Sequence, residues 1–374
     1  MKISQRSFRV YCAGVALFGL AAFAATSQAD DDEGGRYVAS PLVTDTGAGA
    51  PWADANLINP WGIAFNPTGP VWLSDNGSGK STLYDGTGKP ISLVVSVPAA
   101  PSSGNVWGSP TGIVYNGAAT AFVVSELNGG TTVSGASKFL FASEDGVITG
   151  WSPAVDLHHA VIAVDHSSMG AVYKGLAIGG AGNGPLLYAA DFHNRRVDVF
   201  DSNFKPVTVQ GAFVDPRIPS TFAPFGIQNV NGDIVVTYAK QDAAGHDDVP
   251  GAGLGYVDVF DPTGRLVKRL RGGEAFNAPW GVAIAPASFG HFGGALLIGN
   301  FGDGWINAFD PRTGEWLGAL RGADGRPLRI EGLWGLSFGN GFDSQATNTL
   351  YYAAGPGQEM HGVYGQIQPA GAGN

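Results

Sequence analysis

Residues 60–65 read Pro-Trp-Gly-Ile-Ala-Phe, and residues 279–284 read Pro-Trp-Gly-Val-Ala-Ile. This element, a turn followed by a glycine and then by alternating apolar positions, recurs in four further copies along the chain. Its glycines are Gly62, Gly112, Gly175, Gly226, Gly281 and Gly335. Because these glycines are spaced 50 to 63 residues apart, the sequence predicts six copies of one structural unit.

Further strands follow each glycine element. A second apolar segment comes after a short turn in every copy, at residues 71–75, 121–125, 186–191, 233–238, 295–299 and 349–353. A third and a fourth strand then form a hairpin, most clearly around the Asp-Pro and Gly turn residues of 257–264 and 306–314. Four short strands repeated six times predict an all-β fold, a six-bladed β-propeller with four-stranded blades.

The two ends of the repeat array complement each other. The sixth copy has a third strand at residues 362–367, and little chain follows it to provide a fourth. Residues 37–43 form a strand-like segment ahead of the first copy. We therefore expect an N-terminal strand to close the ring and to leave no open edge between the first and last blades. The predicted propeller covers residues 37–369, with an acidic and glycine-containing linker at 30–36 and a short tail at 370–374.

The amino-acid composition argues against helical folds and against a nucleic-acid partner. Glycine supplies 58 of the 374 residues, and charged residues only 14%. Glycine is a poor helix former, which argues against a helix bundle or a coiled coil. The net charge is −10 and no basic stripe is present, so phosphate backbones would be repelled and we expect no nucleic-acid partner. We expect the propeller to be a monomer.

The first 29 residues have the pattern of a secretory signal peptide. Lys2, Arg6 and Arg9 precede an uncharged apolar stretch at 10–25, and Ser27-Gln28-Ala29 supplies small residues for cleavage. An uncleaved anchor is the alternative, but the apolar stretch is short for a span of about 20 residues. We expect a secreted or periplasmic protein with no membrane span in its mature chain. Cys12 is the only cysteine, so the mature chain has no thiol chemistry.

One family resemblance follows from these motifs. Residues 188–201 resemble the NHL repeat. The mature chain as a whole resembles an exported bacterial family of NHL-like propellers. The matching segments are 59–64, 74–77, 81–86, 143–151, 223–229 and 299–304. The resemblance implies the propeller fold and export, and it does not name a chemistry.

Polar residues near the ends of the second strands are the candidates for a functional site. In a propeller these ends meet at one mouth of the central channel. The candidate ligand-binding residues are Asp75, Asn76, Glu126, Asp191, His193, Asn300, Asp303 and His361. Carboxylates and amides suit a hard cation such as calcium, so Asp75, Glu126, Asp191 and Asn300 are the candidate metal ligands. The alternative is that Asp75, Asp191 and Asp303 hydrogen-bond the backbone of their own turns.

Two classes of function remain open. The first is an exported propeller that binds a small-molecule or protein partner at the channel mouth. The second is a metal-assisted hydrolase or lyase, as the resemblance to six-bladed lactone hydrolases implies. No complete catalytic set is present in the sequence, and no catalytic residue is assigned. The tryptophans Trp61, Trp280 and Trp334 either stack on a ligand or pack as core. The glycine-rich insertion 241–254 is a candidate functional loop or a disordered one.

Overall fold

The computed structural model describes residues 35–180, 184–208 and 211–371. The predicted signal peptide, residues 1–29, lies outside the described residues. Among the residues that are described, no helix is both long enough and apolar enough to cross a bilayer. Regular structure is almost entirely β, with 3-10 turns at Pro101–Ser103, Ser167–Met169, Gly273–Ala275 and Gly290–Phe292.

Six antiparallel sheets follow one another along the chain as the blades of a propeller. Strands β1 (Tyr37–Thr44) and β2 (Trp52–Ala53) come before blade 1, which contains β3 (Pro60–Phe65), β4 (Val71–Asp75), β5 (Lys80–Tyr84) and β6 (Val95–Ser96). The next segment contains β7 (Pro110–Tyr115), the hairpin strands β8 (Val123–Asn128) and β9 (Thr131–Ala136), and then β10 (Phe139–Ser143), β11 (Val147–Trp151) and β12 (Val161–Asp165). Blade 2 consists of β7 with β10, β11 and β12.

The remaining blades repeat the pattern. Blade 3 contains β13 (Tyr173–Gly180), β14 (Pro185–Asp191) and β15 (Arg196–Phe200), and a bridge from Phe200 to Pro206 marks the position of its outer strand. Blade 4 contains β16 (Phe222–Val230), β17 (Asp233–Lys240), β18 (Gly255–Phe260) and β19 (Leu266–Arg269). Blade 5 contains β20 (Pro279–Ile284), β21 (Leu296–Asn300), β22 (Ile306–Phe309) and β23 (Trp316–Ala319). Blade 6 contains β24 (Leu333–Phe338), β25 (Leu350–Ala354) and β26 (Val363–Pro369).

The N-terminal strand closes the ring, which confirms that prediction. Strand β1 pairs antiparallel with β26, in a register that runs from Tyr37 opposite Pro369 to Thr44 opposite Val363. The Tyr37 hydroxyl donates to the Phe289 carbonyl oxygen at 3.0 Å and accepts from the Phe292 amide at 3.1 Å. The first strand of the chain is therefore the fourth strand of the last blade.

One strand assignment was wrong. The apolar segment 121–125 is not the second strand of blade 2, because Val123–Asn128 pairs only with Thr131–Ala136 in a separate two-stranded sheet. The second strand is β10, which pairs with β7. The inserted hairpin accounts for the 63-residue spacing between Gly112 and Gly175, the longest of the six-copy series.

The repeat glycines allow neighbouring blades to touch along the axis. A Cβ on Gly62 would lie 2.7 Å from the carbonyl oxygen of Thr111 in the next blade, closer than real Cβ atoms approach. Equivalent contacts continue around the ring, with Gly112 against Leu176, Gly175 against Phe225, Gly226 against Trp280, Gly281 against Trp334 and Gly335 against Trp61. Glycine is required here because its backbone can approach another backbone with no side chain between them.

Candidate functional site

An aromatic cluster fills the axis beside the glycine ring. The residues that precede the six glycines are Trp61, Thr111, Lys174, Phe225, Trp280 and Trp334. The rings of Trp61 and Trp334 stack with centroids 3.5 Å apart, and Trp280 meets both edge-on at 5.9 and 5.8 Å. Trp61 and Trp334 are buried, with 2% and 1% of their surface exposed. These tryptophans are core residues and offer no free face on which a ligand could stack.

The axis next to this cluster is nearly solid. A cavity of about 30 Å³ lies among the first-strand residues Gly62, Gly112, Leu176, Ile227, Trp280 and Gly335. This is close to the volume that one water molecule occupies in the liquid, about 30 Å³. A ligand larger than a water molecule therefore does not fit on the axis beside this cluster.

A buried lysine stands at one mouth. Lys174 is 2% exposed, and its Nζ lies 2.5 Å from Glu144 Oε1 and 3.1 Å from Asp247 Oδ1. The ammonium also lies 5.3 Å from the centroid of the Trp61 ring. Burial by itself would lower the pKa of Lys174, but the carboxylates of Glu144 and Asp247 outweigh it, and the pKa is raised. Lys174 is therefore a fixed positive charge at neutral pH.

Asp247 belongs to the insertion 241–254 between β17 and β18, which we call the capping loop. The loop contacts several blades, because Asp247 binds Lys174 of blade 3 and the Gly251 amide donates to Asn277 Oδ1 at 2.6 Å. His246 Nδ1 lies 2.9 Å from Asp247 Oδ1. This hydrogen bond raises the pKa of His246 and, together with Lys174, holds the pKa of Asp247 far below its usual range. The loop is ordered by these contacts.

Two further carboxyl groups face the same mouth. Burial raises the pKa of Asp248 to about 7, and its Oδ2 has no hydrogen-bond partner among the described residues. Burial also raises the pKa of Glu359, whose Oε2 accepts from Asn59 Nδ2 at 2.7 Å. Glu359 has a positive φ of 64° and Asn59 one of 47°, a strained conformation for residues other than glycine that often marks functional sites.

These groups form one connected cluster, which we call the acidic mouth. Asn76 Nδ2 donates to Glu144 Oε2 at 2.8 Å, and Asn59 Oδ1 accepts from Trp334 Nε1 at 3.0 Å. The cluster therefore rests on the aromatic core through hydrogen bonds. Its members are Asn59, Asn76, Glu144, Lys174, His246, Asp247, Asp248 and Glu359.

The acidic mouth includes one group of potential metal ligands. Atoms of Glu144, His246 and Asp247 lie within 4.8 Å of one another. However, the ammonium of Lys174 already contacts both of these carboxylates, and His246 is hydrogen-bonded to Asp247. The counter-charge that a metal ion would supply is thus provided by the chain itself.

The structure places Asn76 in the acidic mouth and most of the other candidate residues elsewhere. Asp191 accepts from the Asn194 amide of its own turn and from the Val172 amide, just before β13, both at 3.2 Å. Asn300 Nδ2 donates to Asp303 Oδ1 at 3.1 Å, and Asp303 accepts from the Trp305 amide at 3.0 Å. Asp191 and Asp303 have the turn roles that the alternative interpretation expected. Asp75 is buried on the side of blade 1 that faces blade 6.

The remaining candidates do not join the acidic mouth. Glu126 is exposed and lies on the β8–β9 hairpin, which is not part of blade 2. This hairpin follows the end of β7 that is opposite to the acidic mouth. His361 Nδ1 binds Asp45 Oδ2 at 2.8 Å, next to the closing strand. His193 is exposed and lies beside the capping loop, within 3.2 Å of the position a Cβ on Gly245 would take. The four candidate metal ligands are not brought together.

Sequence reasoning missed Glu144 and Lys174, although signals for both were present. Residues 143–146 read Ser-Glu-Asp-Gly, which parallels Ser-Asp-Asn-Gly at 74–77 and marks the true end of a second strand. Lys174 is the one charged residue among the six that precede the repeat glycines. A charge in an otherwise apolar or small position is costly unless it is paired.

Replacement of Asp248 by asparagine is expected to stabilise the protein at pH 8 by about 3 kcal/mol and to have little effect near pH 4. The folded protein keeps a proton on Asp248 up to a pKa of about 7, whereas the unfolded chain loses it near its ordinary value of about 3.9. Wild-type stability therefore falls as the pH rises through this window, and the Asp248→Asn variant escapes that loss. Urea unfolding at both pH values measures the difference, with Glu126→Gln as a surface control. A pH-independent difference would contradict the assignment.

Comparison with known proteins places the chain in a family. No family model matches it. It is 33% identical over 335 residues to the uncharacterized protein R648 of Acanthamoeba polyphaga mimivirus, covering 87% of this chain and 78% of that protein. The chain belongs to the family of this viral protein. The same family includes the uncharacterized protein L690 of that virus, 35% identical over 305 residues, covering 79% of this chain and 77% of L690.

A solved structure shows the same fold. It is a structural-genomics protein of unknown function from Bacteroides thetaiotaomicron, with a TM-score of 0.53 and 12% identity. The match covers 89% of this chain and 76% of that protein. At this identity the likeness shows the propeller fold and nothing of function. R648 and L690 are both viral proteins, so membership of an exported bacterial family stays a prediction.

Proposed function

We propose that this chain is an exported propeller that binds a small, positively charged ligand at the acidic mouth. The observation that supports the proposal is the excess of acid there. Glu144, Asp247, Asp248 and Glu359 surround a single ammonium, that of Lys174, and one histidine. Clustered charge of one sign concentrates oppositely charged ligands. A cation bound beside Asp248 and Glu359 would favour the ionised form of both, which burial now disfavours.

A cavity next to Glu359 supports the size of the proposed ligand. Its volume is about 210 Å³, and its walls include Pro250 of the capping loop, Phe301, and the charged residues Asp303, Arg329, Glu331 and Glu359. Phe301 stacks on Trp334 with centroids 4.0 Å apart, which makes one wall rigid and apolar. Apolar walls with a few convergent polar groups are typical of small-molecule sites. A linear amine with an apolar spacer has the matching chemistry.

Export is part of the same proposal and depends on residues 1–29. Their charged start, apolar middle and small-residue end are those of a cleavable signal. Expression with and without this segment, followed by N-terminal sequencing of the protein recovered outside the cytoplasm, tests it.

Binding is tested by calorimetry with 1,4-diaminobutane, using 1-butanol as the uncharged comparison. We expect the diamine to bind wild type and the alcohol not to. The Glu359→Gln substitution removes one charge from the cavity wall, and we expect at least tenfold weaker binding, about 1.4 kcal/mol. Glu126→Gln, an exposed carboxylate outside the acidic mouth, is the matched control and should bind as wild type does. Equal affinity in all three proteins, or no binding by any, would refute the proposal.

A second candidate, a hydrolase or lyase, is favoured by Asp248 specifically. A carboxyl group with a pKa of about 7 can accept and donate protons near neutral pH, as general acid-base catalysis requires. Turnover of a chromogenic lactone by wild type that is lost in Asp248→Asn would favour this class over a pure binding protein.

A further inference from the structure

A funnel opens on the face of the propeller opposite the acidic mouth. Lys174, at the acidic mouth, directly precedes Gly175 on β13, the first strand of blade 3. Ile178 lies further along the same strand, about 13 Å from Lys174 at about 3.3 Å per residue. The residues at the repeat position of Ile178 are half-buried and form the rim of the funnel; the others are Phe65, Tyr115, Asn229, Ile284 and Phe338.

Two adjoining cavities make up the funnel. One, of about 260 Å³, extends over blades 1 to 3, and the other, of about 220 Å³, extends over blade 5. They share Gln228 and Asn229 of blade 4 and Ser337 and Phe338 of blade 6. Each is larger than a cavity of about 150 Å³ that holds benzene in an engineered protein core. A molecule with a single aromatic ring therefore fits in either cavity.

The wall of the funnel is uncharged and preformed. No charged residue is among the described residues that line the two cavities. The aromatic rings of the rim pack against rings behind them, with Phe338 edge-on to Phe289 at 4.9 Å between centroids and Phe65 at 5.7 Å from Tyr351. Apolar walls with few polar groups are typical of small-molecule sites. A charged ligand would lose its hydration here and gain no counter-charge, so the wall favours a neutral one.

Gln228 is the exception in this wall. It is the one residue common to both cavities and to the cavity of about 30 Å³ on the axis. Four other blades have Ala64, Val114, Ala177 and Ala283 at the same repeat position. Gln228 is half-buried, and its side-chain amide forms no hydrogen bond with another described residue. An amide in an apolar wall is costly unless water or a bound molecule satisfies it.

The two polar residues beside Gln228 have different roles. Asn229 Nδ2 donates to the Ile178 carbonyl oxygen at 2.9 Å, and its Oδ1 accepts from the Gly232 amide at 3.0 Å. Asn229 is therefore satisfied within the fold. Ser337 occupies the repeat position of Gln228 in blade 6, and its hydroxyl forms no hydrogen bond within the described residues. Gln228, with Ser337 as a second polar group, is thus available to a ligand in the funnel.

We propose that the funnel binds a neutral, single-ring aromatic molecule that carries a carboxamide. The ring packs against the apolar rim, and the carboxamide hydrogen-bonds to the side chain of Gln228. A carboxamide has both donors and an acceptor, as the glutamine side chain does, so the two groups are complementary. The nearly solid axis lies between this site and the acidic mouth, and the proposal does not depend on the diamine site.

The test is a calorimetric titration of the protein with benzamide, for which we expect one molecule bound per chain. Gln228→Met keeps the length of the side chain without its amide and should weaken binding about fivefold, the contribution of one neutral hydrogen bond. Ser337→Trp places a large side chain in the wall that both cavities share and should abolish binding. Gln368→Met, which removes an exposed glutamine of β26, is the matched control and should bind as wild type does. Benzoate, the charged isostere, should bind at least tenfold more weakly than benzamide.

Three results would overturn the proposal. One is wild type that does not bind benzamide. Another is equal affinity in wild type, Gln228→Met and Ser337→Trp, which would place the molecule elsewhere; Gln228→Met decides the matter if thermal unfolding shows that Ser337→Trp is not folded. The third is benzoate bound as tightly as benzamide. Saturating 1,4-diaminobutane and the Glu359→Gln substitution should both leave the benzamide affinity unchanged, and competition between the two molecules would assign benzamide to the acidic mouth instead.

Discussion

Removal of residues 1–43 is expected to abolish the cooperative folding of the propeller. The deletion takes away nearly all of β1, including the buried side chains of Tyr37, Leu42 and Val43. Burying three such side chains stabilises a fold by about 5–8 kcal/mol in total, which is comparable with the whole net stability of a domain, about 5–15 kcal/mol. It also leaves the edge of β26 unpaired, a template for aggregation.

Two shorter deletions serve as controls for this experiment. Removing 370–374 costs the hydrogen bond from the Ala370 amide to the Arg36 carbonyl oxygen and should lower the Tm only slightly. Removing 1–34 keeps β1 intact and should leave the Tm unchanged. Near-ultraviolet circular dichroism and thermal unfolding measure all three proteins. A protein without residues 1–43 that melts like the one without 370–374 would show that β1 does not close the ring energetically.

Replacement of Lys174 by methionine is expected to destabilise the fold by about 3–5 kcal/mol at pH 8. Methionine keeps most of the buried stem but leaves Glu144 and Asp247 without their shared cation. In wild type the raised pKa of Lys174 keeps its charge, and the associated stability, until the pH exceeds the ordinary lysine value. In the variant, Asp247 loses the Lys174 charge that helps to lower its pKa and becomes easier to protonate, so the deficit should shrink as the pH falls towards 4.

Urea unfolding of Lys174→Met at pH 8 and at pH 4.5 measures this deficit. Adding Glu144→Gln to the variant removes one of the two unpaired charges and should restore part of the loss. Lys89→Met removes an exposed lysine and should change the stability by less than about 0.5 kcal/mol. A Lys174 variant as stable as wild type at pH 8 would mean that the ion pairs contribute nothing.

The repeat glycines and the missing sixth-blade strand were sufficient to predict the fold and its closure. The site was predicted only in part. Asn76 was found because a turn after a second strand can be recognised locally. The contacts of Lys174 span 30 residues to Glu144 and 73 to Asp247, and no local pattern encodes them. Because of the inserted hairpin, the second strand of blade 2 ends at Ser143 and not at Ser125, where the sequence analysis placed it.

The same residue type at the same repeat position proved to have different surroundings. Asp75 and Asp191 both end a second strand. Asp191 accepts from the backbone amides of Val172 and Asn194, whereas Asp75 is fully buried beside Thr82. What differs is the direction taken by the basic side chain opposite each of them, Lys80 or Arg196. Such a choice is made by packing against neighbouring blades, and sequence spacing does not reveal it.

The nearly solid axis determines which molecules can pass through the centre of the propeller. With about 30 Å³ of space beside the glycine ring, no solute larger than a water molecule crosses from one face of the propeller to the other. The two faces are thus separate compartments. A molecule bound at one mouth of the channel can therefore leave only on the side from which it arrived.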